Sequence, residues 1–386
     1  MEESVSVSNW LSVPDWQRAV VKVGSALVAP DARGCSTQHL LAIARFITES
    51  RRAGQDVILV SSGAVAAGCA TQPGQPAPRT IPEKQALAAI GQPLLMAHWR
   101  RLFDVPCAQL LLTYDDLCDR TRFVNAKNTL AELRGRELIP IVNENDTVAI
   151  DELKVGDNDN LAAHVAVLAE ADLLVICSDV DGLYDADPRT HPGATRVPVV
   201  DRIDAQVYAM AGGPHRDVAT GGMRTKIEAA EKATARGIDT VLVNGTKAAH
   251  LEALRRGSVR GTLFQGAADP LSAHKYWMYY ALPTAGRVWV DPGAARALRD
   301  AGASLLPSGI TAVEGSFGVG EAVEVVAGAA GGPRVLGKGI TQYGSDDMRA
   351  IKGCHSSDIE DVLGHARTDI VIHRNELVLT DDAPTP

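Results

Sequence analysis

Apolar runs that alternate with segments of helical period fill residues 19–243, and this feature restricts the fold more than any other. The runs predict buried strands at 19–23, 57–60, 108–113, 138–142, 173–177 and 240–243. Helices are predicted where apolar residues recur every three to four positions, at 37–52, 83–103, 121–133 and 223–236. Continuously apolar strands separated by amphipathic helices are typical of a mostly parallel sheet that is covered on both faces. We therefore predict an α/β domain.

The pattern changes near Pro283. Short alternating strands follow, punctuated by Gly and Pro, and we predict them at 287–290, 321–326, 334–337 and 370–373. Helices are predicted at 294–301 and 357–363, and residues 327–332 are predicted to form a hairpin tip. This pattern indicates a small β-rich domain, with a boundary in the region of 266–284. Residues 1–17 are expected to have little structure.

Composition and missing motifs exclude several classes of protein. A net charge of −9 over 386 residues argues against a general polyanion binder. The six cysteines contain no C-x-x-C pair, which favours reduced thiols in a cytoplasmic protein. No secretory signal is evident, and no run reaches the roughly 18 apolar residues of a membrane span. The chain also lacks a P-loop, a G-x-G-x-x-G after the first strand and an H-E-x-x-H motif, and we predict no metal-ligand residues.

Carboxylates and amides are concentrated at residues 143–160, directly after a predicted strand. The segment reads Asn-Glu-Asn-Asp-Thr-Val-Ala-Ile-Asp-Glu-Leu-Lys-Val-Gly-Asp-Asn-Asp-Asn. A solvated loop has no need of so many amides beside paired acids, whereas a site for a cationic amine, a metal ion and a phosphate-bearing ligand does. Alternatively, residues 157–160 only cap a helix at 161–168. One cap position explains one residue, however, and not four.

Three glycine-bearing segments are candidates for binding phosphate. Residues 22–25 (Lys-Val-Gly-Ser) and 61–64 (Ser-Ser-Gly-Ala) lie at the ends of predicted strands, and the carboxyl ends of strands bind ligands in open α/β sheets. Residues 220–226 (Thr-Gly-Gly-Met-Arg-Thr-Lys) open a helix, whose N-terminus favours anions. The simpler alternatives are a solvated lysine before a turn, an N-cap serine and a flexible loop with a helix-surface lysine.

Together and in this order, these segments resemble the glutamate 5-kinase family of the amino acid kinase superfamily. The matching text is K-V-G-S at 22–25, V-S-S-G-A-V-A-A-G at 60–68, K-Q-A-L-A-A-I-G-Q at 84–92, N-E-N-D at 143–146, K-V-G-D-N-D-N at 154–160, S-D-V-D-G-L-Y at 178–184, D-P-R at 187–189 and T-G-G-M-R-T-K at 220–226. The tail resembles a PUA domain, including the text at 302–310.

The resemblance implies a three-layer α/β/α amino acid kinase fold with a mostly parallel central sheet, plus a small C-terminal β-barrel-like PUA domain. The expected organisation is a leader at 1–17, a catalytic domain at 18–266, a linker at 267–284 and the PUA-like domain at 285–380. The implied activity is ATP-dependent phosphorylation of the γ-carboxylate of L-glutamate to L-glutamyl 5-phosphate, the first step of proline biosynthesis.

The resemblance also implies roles for individual residues. The catalytic residues would be Lys22 and Lys226, which neutralise charge on the transferring phosphoryl group, and Asp159, which orients both lysines. Glutamate would be bound by Ser62, Asn143, Asp146 and Asn158. ATP would be bound by Lys22, Gly24, Ser178, Asp179, Thr220, Gly221, Gly222, Met223, Arg224, Thr225 and Lys226.

Elementary chemistry agrees with these roles. A carboxylate nucleophile is already ionised at neutral pH, so the reaction requires no general base. Catalysis then reduces to positioning and charge neutralisation by lysines, backbone amides and Mg²⁺. The expected cofactors are ATP and Mg²⁺. The expected partners are L-glutamate, proline as a feedback inhibitor and further copies of the chain in a dimer or tetramer, with no membrane partner.

The sequence departs from the family pattern at Ala26, where relatives often carry Ser or Thr. The tail at 281–386 holds nine Lys or Arg and fourteen Asp or Glu, which makes nucleic acid an unlikely partner. Three alternatives stay open: another amino acid kinase, such as acetylglutamate kinase or aspartokinase; an RNA-binding accessory protein; and a degenerate kinase that only senses proline. The N-E-N-D text and both lysines favour an active glutamate 5-kinase.

Overall fold

The computed structural model describes residues 10–31, 34–72, 74, 80–149, 158–211, 222–329, 332–364 and 368–380. The chain divides into two compact units, the first extending to Pro270 and the second beginning at Leu271. No helix in the described ranges is long and apolar enough to cross a membrane.

The first unit is built from ten strands and ten helices in its described residues. The strands are β1 (Leu11–Ser12), β2 (Arg18–Val23), β3 (Asp56–Ser61), β4 (Cys107–Leu112), β5 (Ile139–Glu144), β6 (Leu173–Ser178), β7 (Val199–Val200), β8 (Asp239–Asn244), β9 (Ser258–Val259) and β10 (Gly261–Phe264). The helices are α1 (Ser25–Val28), α2 (Thr37–Arg52), α3 (Ala64–Cys69), α4 (Ile81–Arg100), α5 (Tyr114–Cys118), α6 (Arg120–Gly135), α7 (Asn158–Leu168), α8 (Ala205–Met210), α9 (Met223–Thr234) and α10 (Ala248–Arg255).

Eight of these strands form one sheet in the order β4-β5-β3-β2-β6-β8-β10-β7. All neighbours run parallel except β8 and β10, which are antiparallel. The carboxyl ends of β2, β3, β5 and β6 therefore meet at one edge of the sheet, where ligands bind in such folds. This confirms the predicted α/β class and its mostly parallel sheet.

The two faces of the sheet are covered by different helices. Because side chains alternate along a strand, Val21 and Val23 of β2 join the apolar cluster under α2, α4 and α10. The side chain of Lys22, between them, therefore lies on the opposite face of the sheet. On that face α7 packs on β2, and α9 packs on α7. A buried lysine is thus directed towards α7 by the period of the strand.

Helices α3 and α4 cross at two glycines. A Cβ on Gly91 would lie 1.9 Å from the carbonyl oxygen of Ala64, and a Cβ on Gly68 would lie 2.0 Å from that of Leu87. Only glycine permits this approach of two backbones. Gly68 ends the matching segment 60–68, and Gly91 is the last residue but one of the segment 84–92. The close packing of α3 on α4 explains why glycine occurs at both positions.

The second unit contains a five-stranded sheet in the order β12-β11-β13-β14-β15. Its strands are β11 (Thr284–Val290), β12 (Ile310–Gly315), β13 (Ala322–Ala329), β14 (Gly332–Thr341) and β15 (Ile372–Leu379). Its helices are α11 (Ala273–Tyr276), α12 (Pro292–Asp300), α13 (Ser345–Ile351) and α14 (Ile359–Leu363). Strands β13 and β14 pair antiparallel up to the predicted hairpin tip, of which residues 330 and 331 lie outside the described ranges.

Several sequence predictions require correction. The segment predicted to lack structure, 1–17, includes strand β1, which pairs with β9. Strand β12 and helix α13 were not predicted, and β15 begins later and extends further than 370–373. Helix α7 begins by Asn158 rather than at 161. Asn and Asp are poor helix formers, and tertiary contacts of their buried side chains override that tendency.

Candidate active site

A buried carboxylate holds two buried lysines at the carboxyl edge of the sheet. Asp159, in the first turn of α7, has no exposed side-chain surface. Lys22 Nζ, from β2, forms an ion pair with Asp159 Oδ1, and Lys226 Nζ, from α9, lies 3.1 Å from Oδ2. The three predicted catalytic residues are therefore brought together, and each lysine uses its own oxygen of the shared carboxylate.

The electrostatics of this cluster keep Asp159 ionised. Burial alone would raise the pKa of Asp159, but Lys22 and Lys226 oppose it and hold the pKa below its ordinary value. Thr225 Oγ1 lies 3.0 Å from Asp159 Oδ2, within hydrogen-bond reach of the same oxygen. The cluster carries two positive charges against one negative charge, so it is suited to an anionic ligand.

A glycine lies next to each of the two lysine ammonium groups. A Cβ on Gly24 would stand 3.7 Å from Lys22 Nζ. Lys226 Nζ also reaches the carbonyl oxygen of Gly222, 3.4 Å away, across the start of α9. Lys226 thus lies one turn into a helix whose N-terminal end faces the cluster, which is the arrangement that phosphate sites use.

Three of the four predicted glutamate-binding residues form a second cluster beside the lysines. Asn158 Nδ2 lies 2.9 Å from Ser62 Oγ, 2.7 Å from Asn143 Oδ1 and 3.2 Å from the carbonyl oxygen of Ser61. Because Asn158 immediately precedes Asp159 on α7, this amide cluster is covalently tied to the lysine-binding carboxylate.

Asp146, the fourth predicted residue, is partly buried just after β5. Burial raises the pKa of Asp146, and a hydrogen bond from its own backbone amide opposes that rise. No lysine or arginine in the described ranges contributes to the shift. A desolvated carboxylate of this kind gains stability when a cationic ligand binds.

Ser178 and Asp179 follow β6 at the same edge. Ser178 Oγ donates to Asp179 Oδ1 at 3.1 Å, and Asn244 Nδ2 donates to the carbonyl oxygen of Asp179 at 3.3 Å. Farther along this loop, Asp181 and Tyr184 border a cavity of about 410 Å³. Its lining does not include Lys22, Asp159 or Lys226, so this cavity is separate from the lysine–aspartate cluster.

The remaining predicted residues divide into two groups. Thr220 and Gly221 lie outside the described residues, whereas Gly222, Met223, Arg224 and Thr225 open α9. Arg224 does not join the cluster: its guanidinium packs 5.5 Å from the Tyr208 ring centroid and pairs with Glu228. Gln92 and Asn244 also contact site residues and were not predicted to do so, although Gln92 is the last residue of one of the matching segments.

Comparisons with known proteins identify two domains in the chain. The amino acid kinase family matches residues 17–244, and the PUA domain matches residues 286–363. The fold and the site thus define a kinase of the amino acid kinase class with an added PUA domain.

Relatives that match over nearly their full length identify the family within this class. The chain is 68% identical to the glutamate 5-kinase of Salinibacter ruber over 96% of this chain and 99% of that protein. It is 50% identical to the glutamate 5-kinase of Idiomarina loihiensis over 97% of this chain and 100% of that protein. The chain belongs to the glutamate 5-kinase family.

Proposed function

We propose that this chain transfers the γ-phosphoryl group of ATP to the γ-carboxylate of L-glutamate, the first step of proline biosynthesis. The observation that carries the proposal is the buried Lys22–Asp159–Lys226 cluster beside the amide cluster of Asn143 and Asn158. One cluster supplies positive charge for a phosphoryl group, and the other supplies amides for an amino acid. The names of the full-length relatives support glutamate as the acceptor.

The chain's own groups account for the catalytic needs of this reaction. The glutamate γ-carboxylate is ionised at neutral pH and attacks without a general base. Lys22 and Lys226 offset the negative charges of the two reactants, which would otherwise repel each other. Asp159 fixes the position of both ammonium groups before the reactants bind, so little reorganisation is needed during transfer.

The amino-acid end of the substrate has matching partners. Asp146 would pair with the α-ammonium group, and this pairing would compensate the burial of its carboxylate. Ser62, Asn143 and Asn158 would contact the carboxylate groups and the ammonium group through hydrogen bonds. The phosphates of ATP would lie along Gly24, Gly222 and the first turn of α9, next to the two lysines.

Mg²⁺ is the proposed metal. The described residues contain no group of three or more His, Cys, Asp or Glu side chains that could hold a metal ion. Mg²⁺ commonly binds through substrate phosphates and retained waters with only one or two carboxylates. The ion would therefore enter with the nucleotide.

The activity can be tested by trapping the acyl phosphate with hydroxylamine. Purified protein with ATP and Mg²⁺ should form hydroxamate from L-glutamate but not from L-aspartate or N-acetyl-L-glutamate. If hydroxamate forms from L-aspartate or N-acetyl-L-glutamate instead, that acid is the phosphoryl acceptor and the proposal of glutamate is wrong. Adding L-proline to the same assay tests the proposed feedback inhibition, which should appear as a raised KM for glutamate.

We also propose that the chain forms a homo-oligomer through α4. Ile90 and Leu94 of this helix are 41% and 45% exposed, and Gln92 of α4 contacts Gln109 of β4, an edge strand of the sheet. A two-fold axis would pair the same apolar patch on two copies. Light scattering should give a dimer or tetramer for the wild type and a smaller species for Ile90→Glu combined with Leu94→Glu.

The six free cysteines suit the reducing cytoplasm in which we propose that the protein acts.

A further inference from the structure

Four amide side chains form a continuous hydrogen-bonded relay from the sheet edge to the proposed glutamate site. Gln109 of β4 contacts Gln92 of α4 at 3.0 Å, and Gln92 contacts Asn143 of β5 at 2.7 Å. Asn143 then contacts Asn158 of α7 at 2.7 Å. Asn143 and Asn158 are buried, Gln92 is half-buried and Gln109 is exposed. The relay therefore connects four separate elements of the first unit.

A backbone carbonyl fixes the direction of every bond in this relay. The oxygen of Ser61 can only accept, so the Asn158 atom 3.2 Å from it must be the amide nitrogen. That same nitrogen faces Asn143, so Asn143 presents its oxygen to it and its nitrogen to Gln92. Gln92 must then accept from Asn143 and donate to Gln109. A flip of any one amide would place two donors or two acceptors together.

This direction determines what the site presents to a ligand. Asn158 Nδ2 carries two hydrogens and faces three oxygens, one of them the Ser62 hydroxyl at 2.9 Å. Ser62 cannot donate to an amide nitrogen, so its hydrogen is directed away from Asn158. The site thus offers a hydroxyl donor at Ser62 and a carbonyl acceptor on Asn158. An amino acid substrate needs a hydrogen-bond donor for its carboxylate groups and an acceptor for its ammonium group.

We propose that Gln92, itself held by Gln109, is a positioning residue that keeps the Asn143 amide in place for recognition of the amino acid substrate, while the Ser61 carbonyl sets the amide orientation of Asn158. The inference rests on the proposed glutamate kinase function. Gln92 acts through Asn143 and need not touch the substrate. Its contribution should appear in the KM for glutamate, while the lysine cluster that governs turnover stays intact.

The test compares two substitutions at Gln92. Gln92→Leu removes the acceptor for Asn143 and leaves a buried amide donor unsatisfied. We expect the KM for glutamate to rise by about tenfold, with kcat and the KM for ATP within about twofold of wild type. Gln92→Glu keeps an acceptor for Asn143, and the exposed Gln109 can turn its nitrogen towards the new carboxylate. This variant should recover most of the glutamate KM.

Two further variants make the test decisive. Gln55→Leu is the matched control, because Gln55 is a half-buried glutamine that donates to the carbonyl oxygen of Trp16 outside the relay. Its glutamate KM should stay at the wild-type value. If Gln92→Leu does not fold, Gln109→Leu decides, because an exposed position tolerates the change, and a two- to threefold rise in KM is expected.

The outcomes separate the two proposals. A wild-type protein that does not phosphorylate glutamate overturns the proposed function and this inference together. An active wild type whose Gln92→Leu or Gln109→Leu variant keeps the wild-type glutamate KM overturns the relay alone. A rise in KM that Gln92→Glu reverses supports it, because a purely structural defect would not be repaired by a charged residue.

Discussion

Lys226 Nζ lies 3.1 Å from Asp159 Oδ2, although the two residues are 67 positions apart in the chain. The contact joins the first turns of α7 and α9, and both side chains are buried. A buried ion pair in isolation is weak evidence for stability, because desolvation offsets much of the attraction. Two lysines on one carboxylate leave an excess positive charge, which is better explained by an anionic ligand.

Replacing Lys226 by alanine should lower kcat far more than it weakens glutamate binding. The ammonium group acts on charge that develops during transfer, so its loss should reduce kcat roughly 100-fold or more. Steady-state hydroxamate kinetics would measure both constants. Lys127→Ala is the control, because Lys127 is an exposed lysine paired with Glu170 and should leave both constants unchanged. Near-normal kcat in Lys226→Ala would remove Lys226 from the mechanism.

Replacing Asp146 by alanine should mainly raise the KM for glutamate, because it removes the carboxylate that pairs with the substrate ammonium group. We expect a rise of about tenfold or more, which corresponds to a loss of about 1.4 kcal/mol or more in binding free energy. Only the ionised carboxylate can pair with the substrate ammonium group. Because burial raises the pKa of Asp146, protonation should weaken binding at a higher pH than for an ordinary aspartate. The acidic fall in kcat/KM for glutamate should therefore lie at a raised pH and change in Asp146→Asn. An unchanged KM would contradict this assignment.

Replacing Gly91 by alanine should destabilise the first unit. The new Cβ would lie 1.9 Å from the carbonyl oxygen of Ala64 and 2.4 Å from the backbone nitrogen of Gly68, so α3 and α4 must separate. We expect a loss of about 1–3 kcal/mol in the free energy of unfolding. Gly135→Ala is the control, because Gly135 ends α6 with nothing within 4 Å of its Cβ position. Urea unfolding that shows equal stability for both variants would rule out a close helix contact.

Local patterns in the sequence were sufficient to predict the sheet and the position of several polar residues at its carboxyl edge. The apolar run of β2 predicted a buried strand, and the glycine after it marked the strand end at which Lys22 lies. Helix α2 was predicted from Thr37 to Arg52 and occupies those bounds, because its periodicity is continuous and Ser36 caps its start. Such signals are carried by residues adjacent in sequence.

Contacts between distant residues leave no such signal. Gln92 lies 51 positions from Asn143 and 17 from Gln109, and neither glutamine interrupts the pattern of its element. The grouping of Lys22, Asp159 and Lys226 was predicted through family resemblance, because strand period alone does not identify which helix covers Lys22. Strand β12 was missed because Ile310 is its one buried residue, and without a buried face it lacks the alternation that predicts a strand.

His164 makes the stability of the fold depend on pH. It is fully buried in α7, and burial, with a smaller effect of Lys232, lowers its pKa to about 3. The unfolded chain binds a proton near pH 6.5, whereas the folded chain does not. The contribution of His164 to stability is therefore fully present above pH 6.5 and is lost progressively as the pH falls towards 3.

Replacing His164 by glutamine should remove this dependence. Between pH 7 and pH 5 the wild type should lose about 2 kcal/mol of unfolding free energy through this residue, at about 1.4 kcal/mol per pH unit below 6.5. The glutamine variant binds no proton there, so the stability gap between the two proteins should shrink by that amount in urea titrations. Between pH 8 and pH 7 the gap should stay constant, because the unfolded histidine is already mostly neutral. Parallel losses in both proteins from pH 7 to pH 5 would mean that His164 takes up a proton within the folded state.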